Sequence, residues 1–343
     1  MLIVTHSFPR AALIGNPSDG FHGKTIAFTF SNFRAEVVLY HSPELEIVPN
    51  TRDQSRFDSI TALVEDVERY GYYGGVRLLK ATVKKFYQYC VQCGITLDNR
   101  NFTMRYESDI PHGLGLAGSS AIVTAGIRAL MAFFAVDIPK PVLANLVLSV
   151  EHDELGITAG LQDRVAQVYE GLVYMNFAED LMDRQGYGAY SYLDAALLPE
   201  LYVAFHADLA EGSEIVHDRY RSRYMQKDES LSAAVLRWSE LTEEVCARLN
   251  EGDKASIGML LNENYDLRTS VQKVSEGNTS MVKAARSIGA SAKFTGSGGA
   301  IIGTFEGEEM YKELGKALSL LGVEIIQPKI TEPQGAHSGM GRR

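Results

Sequence analysis

Basic residues are the minority among the charged residues of this chain, and long apolar runs are lacking. In 343 residues, 33 lysines and arginines stand against 43 aspartates and glutamates, which gives a formal net charge of −10. This balance offers no electrostatic basis for binding nucleic acid or an anionic membrane. No apolar run reaches the ~18 residues of a membrane span, and the N-terminus lacks the parts of a secretory signal. We therefore expect a cytoplasmic protein with neither nucleic acid nor membrane as a partner.

Cysteine is also scarce, with Cys90, Cys93 and Cys246 the only three. Cys90-x-x-Cys93 has a redox or metal spacing, but it ends a predicted helix and has no second Cys/His pair nearby. We expect structural thiols in a reducing compartment. The 45% hydrophobic and 22% charged residues are typical of a globular enzyme, and the length suggests about two domains.

The most informative stretch is residues 109–123, where Gly113, Gly115 and Gly118 precede Ser119 and Ser120. Glycines permit φ > 0 and let the backbone approach a ligand closely. An apolar stripe of helical period follows, so the free N–H groups and positive dipole end of a helix face the loop. The pattern predicts a phosphate site, with serine hydroxyls available to the phosphate or to Mg²⁺.

Other interpretations of the glycine-rich segments fit the sequence less well. Residues 113–118 match the dinucleotide pattern G-x-G-x-x-G, but a half-polar strand precedes them and a loop follows the helix. A plain glycine turn capping the helix is the structural alternative. The end of the segment 16–25 mimics a Walker A loop, but Ser18 replaces a required glycine and strands follow instead of a helix.

Three segments in the same order resemble the motifs of the GHMP kinases. Residues 111–121 (Pro-x-x-x-Gly-Leu-x-x-Gly-Ser-Ser-Ala) are similar to the nucleotide-phosphate loop of that family, residues 10–19 to its first motif, and residues 293–299 (Lys-x-x-Gly-x-Gly-Gly) to its third. Residues 15–19 and 154–169 resemble most the plant-type glucuronokinases. Those enzymes transfer the γ-phosphate of ATP to the anomeric hydroxyl of D-glucuronic acid.

The resemblance implies a fold and a division into domains. The expected fold is an α+β, two-domain GHMP kinase fold, with a ribosomal protein S5 domain 2-like N-terminal half and a ferredoxin-like C-terminal half. We predict an ATP-binding domain over residues 1–185, a C-terminal domain over residues 190–332 and a disordered tail over residues 333–343.

The resemblance also implies roles for individual residues. Asp163, in Gly-Leu-Gln-Asp-Arg where the family has Gly-x-x-Asp-Gln, would be the catalytic base, with Arg10 near the reacting groups. Glu151 and Ser120 would hold Mg²⁺. Residues that would bind ATP are Gly113, Leu114, Gly115, Leu116, Ala117, Gly118, Ser119 and Ser120. Residues that would bind the substrate are Asn16, Asp19, Arg268, Gly296 and Gly298.

Without the family resemblance, several of these residues also have purely structural explanations. Asp163 also suits the first turn of a helix, where the dipole stabilises a carboxylate, and Asp19 also suits a Pro-Ser-Asp-Gly turn. Arg219, Arg221 and Arg223 form a basic patch that is either a solvated face or an attractor of anions.

The resemblance implies ATP and Mg²⁺ as cofactors and a small-molecule sugar or sugar acid as substrate. The oligomeric state stays open, and a homodimer is one option. Alternative functions are a GHMP kinase for a galactose-like sugar or a mevalonate-like acid, and a non-catalytic sensor that binds ATP and sugar.

Overall fold

The computed structural model describes residues 1–50, 53, 74–209, 220 and 222–333. Of the basic patch, Arg223 lies within this part, whereas Arg219 and Arg221 lie outside it. The predicted tail also lies outside the described residues from position 334 onward.

Helices and strands alternate irregularly along the chain. The strands are β1 (Leu2–Ser7), β2 (Arg10–Ile14), β3 (Lys24–Thr29), β4 (Ala35–His41), β5 (Glu46–Val48), β6 (Phe102–Ser108), β7 (Leu172–Asn176), β8 (Ala189–Leu193), β9 (Leu201–Phe205), β10 (Lys293–Phe294), β11 (Ala300–Thr304) and β12 (Glu324–Ile326). The helices are α1 (Gly75–Gln92), α2 (Gly118–Phe134), α3 (Lys140–Ser149), α4 (Gln162–Tyr169), α5 (Glu179–Gln185), α6 (Glu229–Glu251), α7 (Ile257–Val271), α8 (Glu276–Ser287) and α9 (Gly307–Ser319).

One compact unit consists of residues 1–9, 33–110 and 117–168. Its sheet has the strand order β1-β4-β6-β5, in which β5 is parallel to β6 and the other pairs are antiparallel. Helix α2 packs on β1 and β4 and against α1. The helices approach closely at Gly126, where a Cβ would lie 3.2 Å from the Thr82 methyl group. This packing fixes the direction in which the first turn of α2 points.

A second compact unit consists of residues 10–32, 111–116 and the described residues from 169 onward. It holds two antiparallel sheets, with strand orders β2-β3-β7-β8 and β10-β11-β9-β12. Helix α6 packs on β3, where Thr242 Oγ1 donates to the Lys24 carbonyl at 2.8 Å and the Lys24 N–H donates to Ser239 Oγ at 3.2 Å. A core that includes Tyr202 and Phe294 lies against α8 and α9.

The mixed composition of helices and antiparallel sheets confirms the α+β prediction. Residues 229–271 form two helices, α6 and α7, because the chain leaves α6 at Gly252, which has left-handed backbone at φ 75°. The boundary predicted between residues 185 and 190 stays a prediction. No helix among the described residues has the length and apolar content needed to cross a membrane.

Candidate active site

The glycine loop reaches α2 through three residues in the left-handed region of the backbone map. Gly113 and Gly115 have φ of 72° and 63°, as the sequence predicted. The third is Ala117, the residue before the helix, with φ 62°. Gly118 was expected to have positive φ, and this was wrong, because it is already the first residue of α2 and has helical geometry. The strained residue is therefore an alanine, which pays the steric cost that glycine avoids.

Gly115 contacts a second glycine turn, residues 296–299, which the sequence placed in the same site. A Cβ on Gly115 would lie 2.9 Å from the Ser297 backbone nitrogen, and a Cβ on Gly296 would lie 2.4 Å from the Gly115 carbonyl oxygen. Neither turn has room for a side chain at its point of contact. The packing thus requires glycine on both sides, and at Gly115 the left-handed backbone requires it as well.

Arg10 and Arg268 hold these two turns through backbone carbonyls. Arg10 donates Nη1–H to the carbonyls of Gly115, at 3.1 Å, and Thr295. Arg268 donates Nη1–H and Nη2–H to the carbonyls of Gly296 and Ser297, both at 2.8 Å. Both side chains are buried. The predicted catalytic role of Arg10 and the predicted substrate contact of Arg268 stay predictions.

Lys293 is a third buried basic residue of the second unit, and sequence reasoning gave it no role. Its Nζ donates to the carbonyls of Ala12 and Phe294, both at 2.8 Å. Burial, with the neighbouring charges of Arg268 and Arg10, holds the pKa of Lys293 well below its ordinary value. We call Arg10, Arg268 and Lys293 the cationic cluster. Its two arginines concentrate positive charge in a chain whose net charge is −10.

Asn16, predicted to contact substrate, is positioned by an asparagine that the sequence analysis missed. Asn264 on α7 accepts the Gly15 N–H at 2.8 Å and donates to the Asn16 carbonyl at 3.1 Å. The Asn16 side chain is buried, and its Oδ1 has no hydrogen-bond donor among the described residues. A buried acceptor of this kind fits a ligand hydroxyl. Asp19 lies in the short helical turn Ser18–Phe21 and is half-buried.

In the first unit, the start of α2 meets a buried carboxylate. Glu151 lies in a π-helical turn, Val150–Glu154, that continues α3, and it is fully buried. Its Oε1 accepts the Ser119 hydroxyl at 2.6 Å. The Ser120 hydroxyl points elsewhere and donates to the Ala117 carbonyl at 3.2 Å. The structure therefore brings Ser119 to Glu151, and the assignment of Ser120 to Mg²⁺ stays a prediction.

Arg164 joins Glu151 to Asp163, and sequence reasoning assigned it no role. Its Nε–H donates to Glu151 Oε2 at 2.8 Å, and its Nη2–H donates to the same oxygen. Its Nη1 lies 3.4 Å from Asp163 Oδ2 and donates to the Gly160 carbonyl at 2.9 Å. The structure thus links Ser119, Glu151 and Asp163 by a chain of contacts, whereas the sequence analysis paired Glu151 with Ser120. The roles of these residues stay predictions.

The oxygen donors of this group suit Mg²⁺, which prefers carboxylate and hydroxyl ligands and keeps several waters. Glu151 Oε1 and the hydroxyl of Ser119 supply two such oxygens at one place. No cluster of three or more His, Cys, Asp or Glu residues that could hold a metal by themselves occurs in the described part of the chain. The arrangement fits a metal shared with a phosphate ligand better than a metal in an all-protein cage.

Comparisons with known proteins show the family. The family model described as "GHMP kinases N terminal domain" matches residues 77–171. A protein of Arabidopsis thaliana named "Probable glucuronokinase 2" is 45% identical over 303 residues, which cover 86% of this chain and 82% of the relative. "Glucuronokinase 1" of the same plant is 42% identical over 302 residues, which cover 86% and 83%.

Solved structures of lower identity share the fold. The galactokinase of Lactococcus lactis, complexed with galactose, superposes with a TM-score of 0.76 at 16% identity and covers 96% of this chain and 93% of its own. The phosphomevalonate kinase of Streptococcus pneumoniae superposes with a TM-score of 0.74 at 15% identity and covers 96% of this chain and all of its own.

Proposed function

Because the chain belongs to the GHMP kinase family, together with the glucuronokinases, we propose that it transfers the γ-phosphate of ATP to the anomeric hydroxyl of D-glucuronic acid. It is a sugar kinase, a phosphotransferase that uses an alcohol group as acceptor. The observation that carries the choice of acceptor is the 45% identity to a glucuronokinase over most of both chains.

ATP is the phosphate donor of such a kinase, and the glycine loop at residues 113–120 is its proposed site. The first N–H groups of a helix have no partner within the helix. At the start of α2 they can therefore bind phosphate oxygens, and the helix dipole favours the negative charge there. The left-handed backbone at Gly113, Gly115 and Ala117 lets consecutive loop residues face a ligand closely.

Glu151, with Ser119 or Ser120, is the proposed holder of Mg²⁺. The ion, when bound, would neutralise charge on the phosphates during their transfer. The chain's own contribution is an oriented carboxylate, because Glu151 Oε2 accepts hydrogen bonds from Arg164 while Oε1 faces Ser119. Serine hydroxyls in the first turn of α2 complete a set of oxygen donors.

Asp163 is the proposed base, which accepts the proton of the sugar hydroxyl as that hydroxyl attacks. In phosphoryl transfer the protein contributes mostly positioning and charge stabilisation. Asp163 suits this role because its carboxylate is held by a neighbouring guanidinium and is still one-fifth exposed, at 21%. It can therefore be reached by an acceptor.

Residues of the second unit are the proposed acceptor contacts. The buried Oδ1 of Asn16 can accept a sugar hydroxyl, and Asp19 can accept another. The two arginines of the cationic cluster, Arg10 and Arg268, supply positive charge for the carboxylate of a uronic acid. Arg268, whose fork also binds the turn that contains Gly296, is the proposed partner of that carboxylate. Gly296 and Gly298 would form the backbone wall beside it.

An acceptor screen tests the proposed reaction. ADP release would be followed with D-glucuronic acid, D-galacturonic acid, glucose, galactose and mevalonate, each with MgATP. We expect turnover with D-glucuronic acid well above the others and a product phosphorylated at C1 by ³¹P and ¹H NMR. A preference for galactose or mevalonate would move the chain to another branch of the family, and ATP binding without turnover on any acceptor would favour a sensor.

Replacing the proposed base tests the mechanism. Asp163→Asn should lower kcat by about 10²–10⁴-fold, since general-base catalysis contributes that much, while calorimetry finds ATP binding unchanged. Asp180→Asn is the matched control, because Asp180 is an exposed aspartate in the first turn of α5 and loses the same helix-dipole interaction. Equal activity of Asp163→Asn and the control would remove Asp163 from the mechanism.

A further inference from the structure

Arg164 is the side chain through which the two carboxylates of the proposed site are linked. It lies one residue after Asp163 on α4, yet its guanidinium turns to Glu151 on the π-helical turn. The side chain is 4% exposed, and that of Glu151 is fully buried. A buried charged pair is tolerated when further hydrogen bonds support it, and here the Ser119 hydroxyl and the Gly160 carbonyl supply two.

The three nitrogens of Arg164 have different partners. Nε and Nη2 both donate to Glu151 Oε2, while Nη1 donates to the Gly160 carbonyl at 2.9 Å and lies 3.4 Å from Asp163 Oδ2. A planar guanidinium fixes these directions relative to each other. The positions of the two carboxylates are therefore set by one rigid group.

The two oxygens of Glu151 are consequently not equivalent. Oε2 is taken by Arg164, whereas Oε1 accepts the Ser119 hydroxyl at 2.6 Å at the start of α2. The carboxylate cannot rotate to exchange its oxygens without breaking two charge-assisted hydrogen bonds. A second contact fixes α4 against the same helix start, since Gln167 Nε2 donates to the Ala117 carbonyl at 2.7 Å.

From this geometry we infer that Arg164 is a positioning residue of the kinase reaction. It orients Glu151 Oε1 toward Ser119 at the start of α2, where the phosphates are proposed to bind, and it holds the Asp163 carboxylate next to its own guanidinium. The inference rests on the proposed function, since it assigns Arg164 its role through Glu151 and Asp163. A lysine cannot replace it fully, because an ammonium group lacks the planar fork that serves Glu151, Gly160 and Asp163 together.

The test compares Arg164→Lys with Arg164→Met and with a matched control. Residues that orient the ligands of a metal typically account for 10–100-fold in activity. We therefore expect Arg164→Lys to lower kcat by about 10–100-fold with KM for both substrates within about twofold. Arg164→Met should lower kcat further and also lower the midpoint of thermal unfolding, because it leaves Glu151 buried and unpaired.

Arg77→Lys is the control, because Arg77 is an exposed arginine whose Nη2 donates to the Leu155 carbonyl at 2.9 Å, just after the π-helical turn. It makes the same exchange of guanidinium for ammonium beside the same segment, and kcat should stay unchanged. Should Arg164→Met fail to fold, Arg164→Lys with an unfolding midpoint near that of the native protein carries the comparison alone.

A double-mutant cycle separates positioning from general destabilisation. If Arg164 acts through Glu151, the loss caused by Arg164→Lys should be at least about fivefold smaller in a Glu151→Gln background than in the native protein. A folded Arg164→Lys with kcat within twofold of native, a loss confined to KM, or equal losses in both backgrounds would overturn the inference. Full turnover of Asp163→Asn or Glu151→Gln would instead remove that carboxylate from the proposed mechanism. Failure of the native protein to phosphorylate D-glucuronic acid would refute the proposed function, whatever Arg164→Lys does.

Discussion

Lys293 shows how a buried ionisable side chain is accommodated in the second unit. Its amino group is bonded to the carbonyls of Ala12 and Phe294 and has Arg10 and Arg268 as charged neighbours. Backbone carbonyls satisfy its hydrogen-bonding capacity but compensate a full charge less well than a carboxylate does. Burial and these like charges both disfavour the protonated form, so the pKa of Lys293 is lowered.

Lys293→Met should remove a pH dependence of stability. Because the native pKa of Lys293 is lowered, the unfolded chain binds one proton more between that pKa and the unfolded value of about 10.4. The native protein should therefore gain stability over Lys293→Met as pH rises in that window, by up to about 1.4 kcal/mol per pH unit. Urea unfolding at pH 7, 8, 9 and 10 measures this difference.

Lys24→Met provides a control with the opposite sign. The hydrogen bond from Lys24 to Glu243 raises the pKa of Lys24, so its contribution is fully present below the unfolded pKa and is lost only at higher pH. Its stability difference should stay level where that of Lys293→Met changes. Parallel curves for the two variants would mean that Lys293 is not deprotonated in the native protein.

The two glycine turns, residues 113–116 and 296–299, act as one packed element. Gly115→Ala should cost about 1–2 kcal/mol for left-handed backbone and about 1–3 kcal/mol more for the Cβ, since it would meet the Ser297 backbone nitrogen at 2.9 Å. Urea unfolding measures the stability loss, and calorimetry should find weaker ATP binding because the loop has to shift.

Gly94→Ala separates the two costs of Gly115→Ala. Gly94 has a similar φ of 69°, and a Cβ there would meet nothing within 4 Å. This control should lose only the backbone contribution and keep ATP affinity. Equal losses of stability in the two variants would contradict the packing argument.

At the level of elements, the sequence predicted the local pattern well. The glycine loop and the helix after it follow from the residue pattern, whereas the family resemblance pointed to Glu151, Asp163 and the second glycine turn. Spacing did not decide between Ser119 and Ser120, because neighbouring residues on a helix point about 100° apart. Only the packing of α2 shows which hydroxyl reaches Glu151.

Contacts between segments that are distant in sequence could not be predicted from residue spacing. Asn264 binds Gly15 and Asn16 across nearly 250 residues, with separations of 249 and 248. Arg164 looks like an ordinary polar residue of an amphipathic helix, and nothing in its neighbours indicates that it pairs with Glu151. Family resemblance carried the fold prediction, which the solved structures confirm.

At the scale of the whole molecule, the two compact units are interleaved along the chain. Residues 10–32 and 111–116 belong to the same unit as most of the C-terminal half. Within that unit, α6 packs on β3 through Thr242 and Ser239. A cut between residues 185 and 190 would therefore remove β3 from the face of α6.

A fragment that starts at residue 190 should not fold on its own. It keeps all strands of the β10-β11-β9-β12 sheet but exposes the face of α6 that includes Thr242, which is buried in the full chain. We expect circular dichroism to detect no cooperative thermal transition in residues 190–343, whereas the full chain unfolds in one. A cooperative transition in the fragment would instead support the domain boundary predicted from the sequence.

The π-helical turn at Val150–Glu154 has a consequence for tolerated chain length. It holds one residue more per turn than an α-helix would, so the loss of a residue there could restore regular helical winding. The following residues would then be rotated by about 100° relative to α3, and Glu151 would no longer face Arg164. The number of residues between α3 and α4, as much as their identity, determines whether both carboxylates meet one guanidinium.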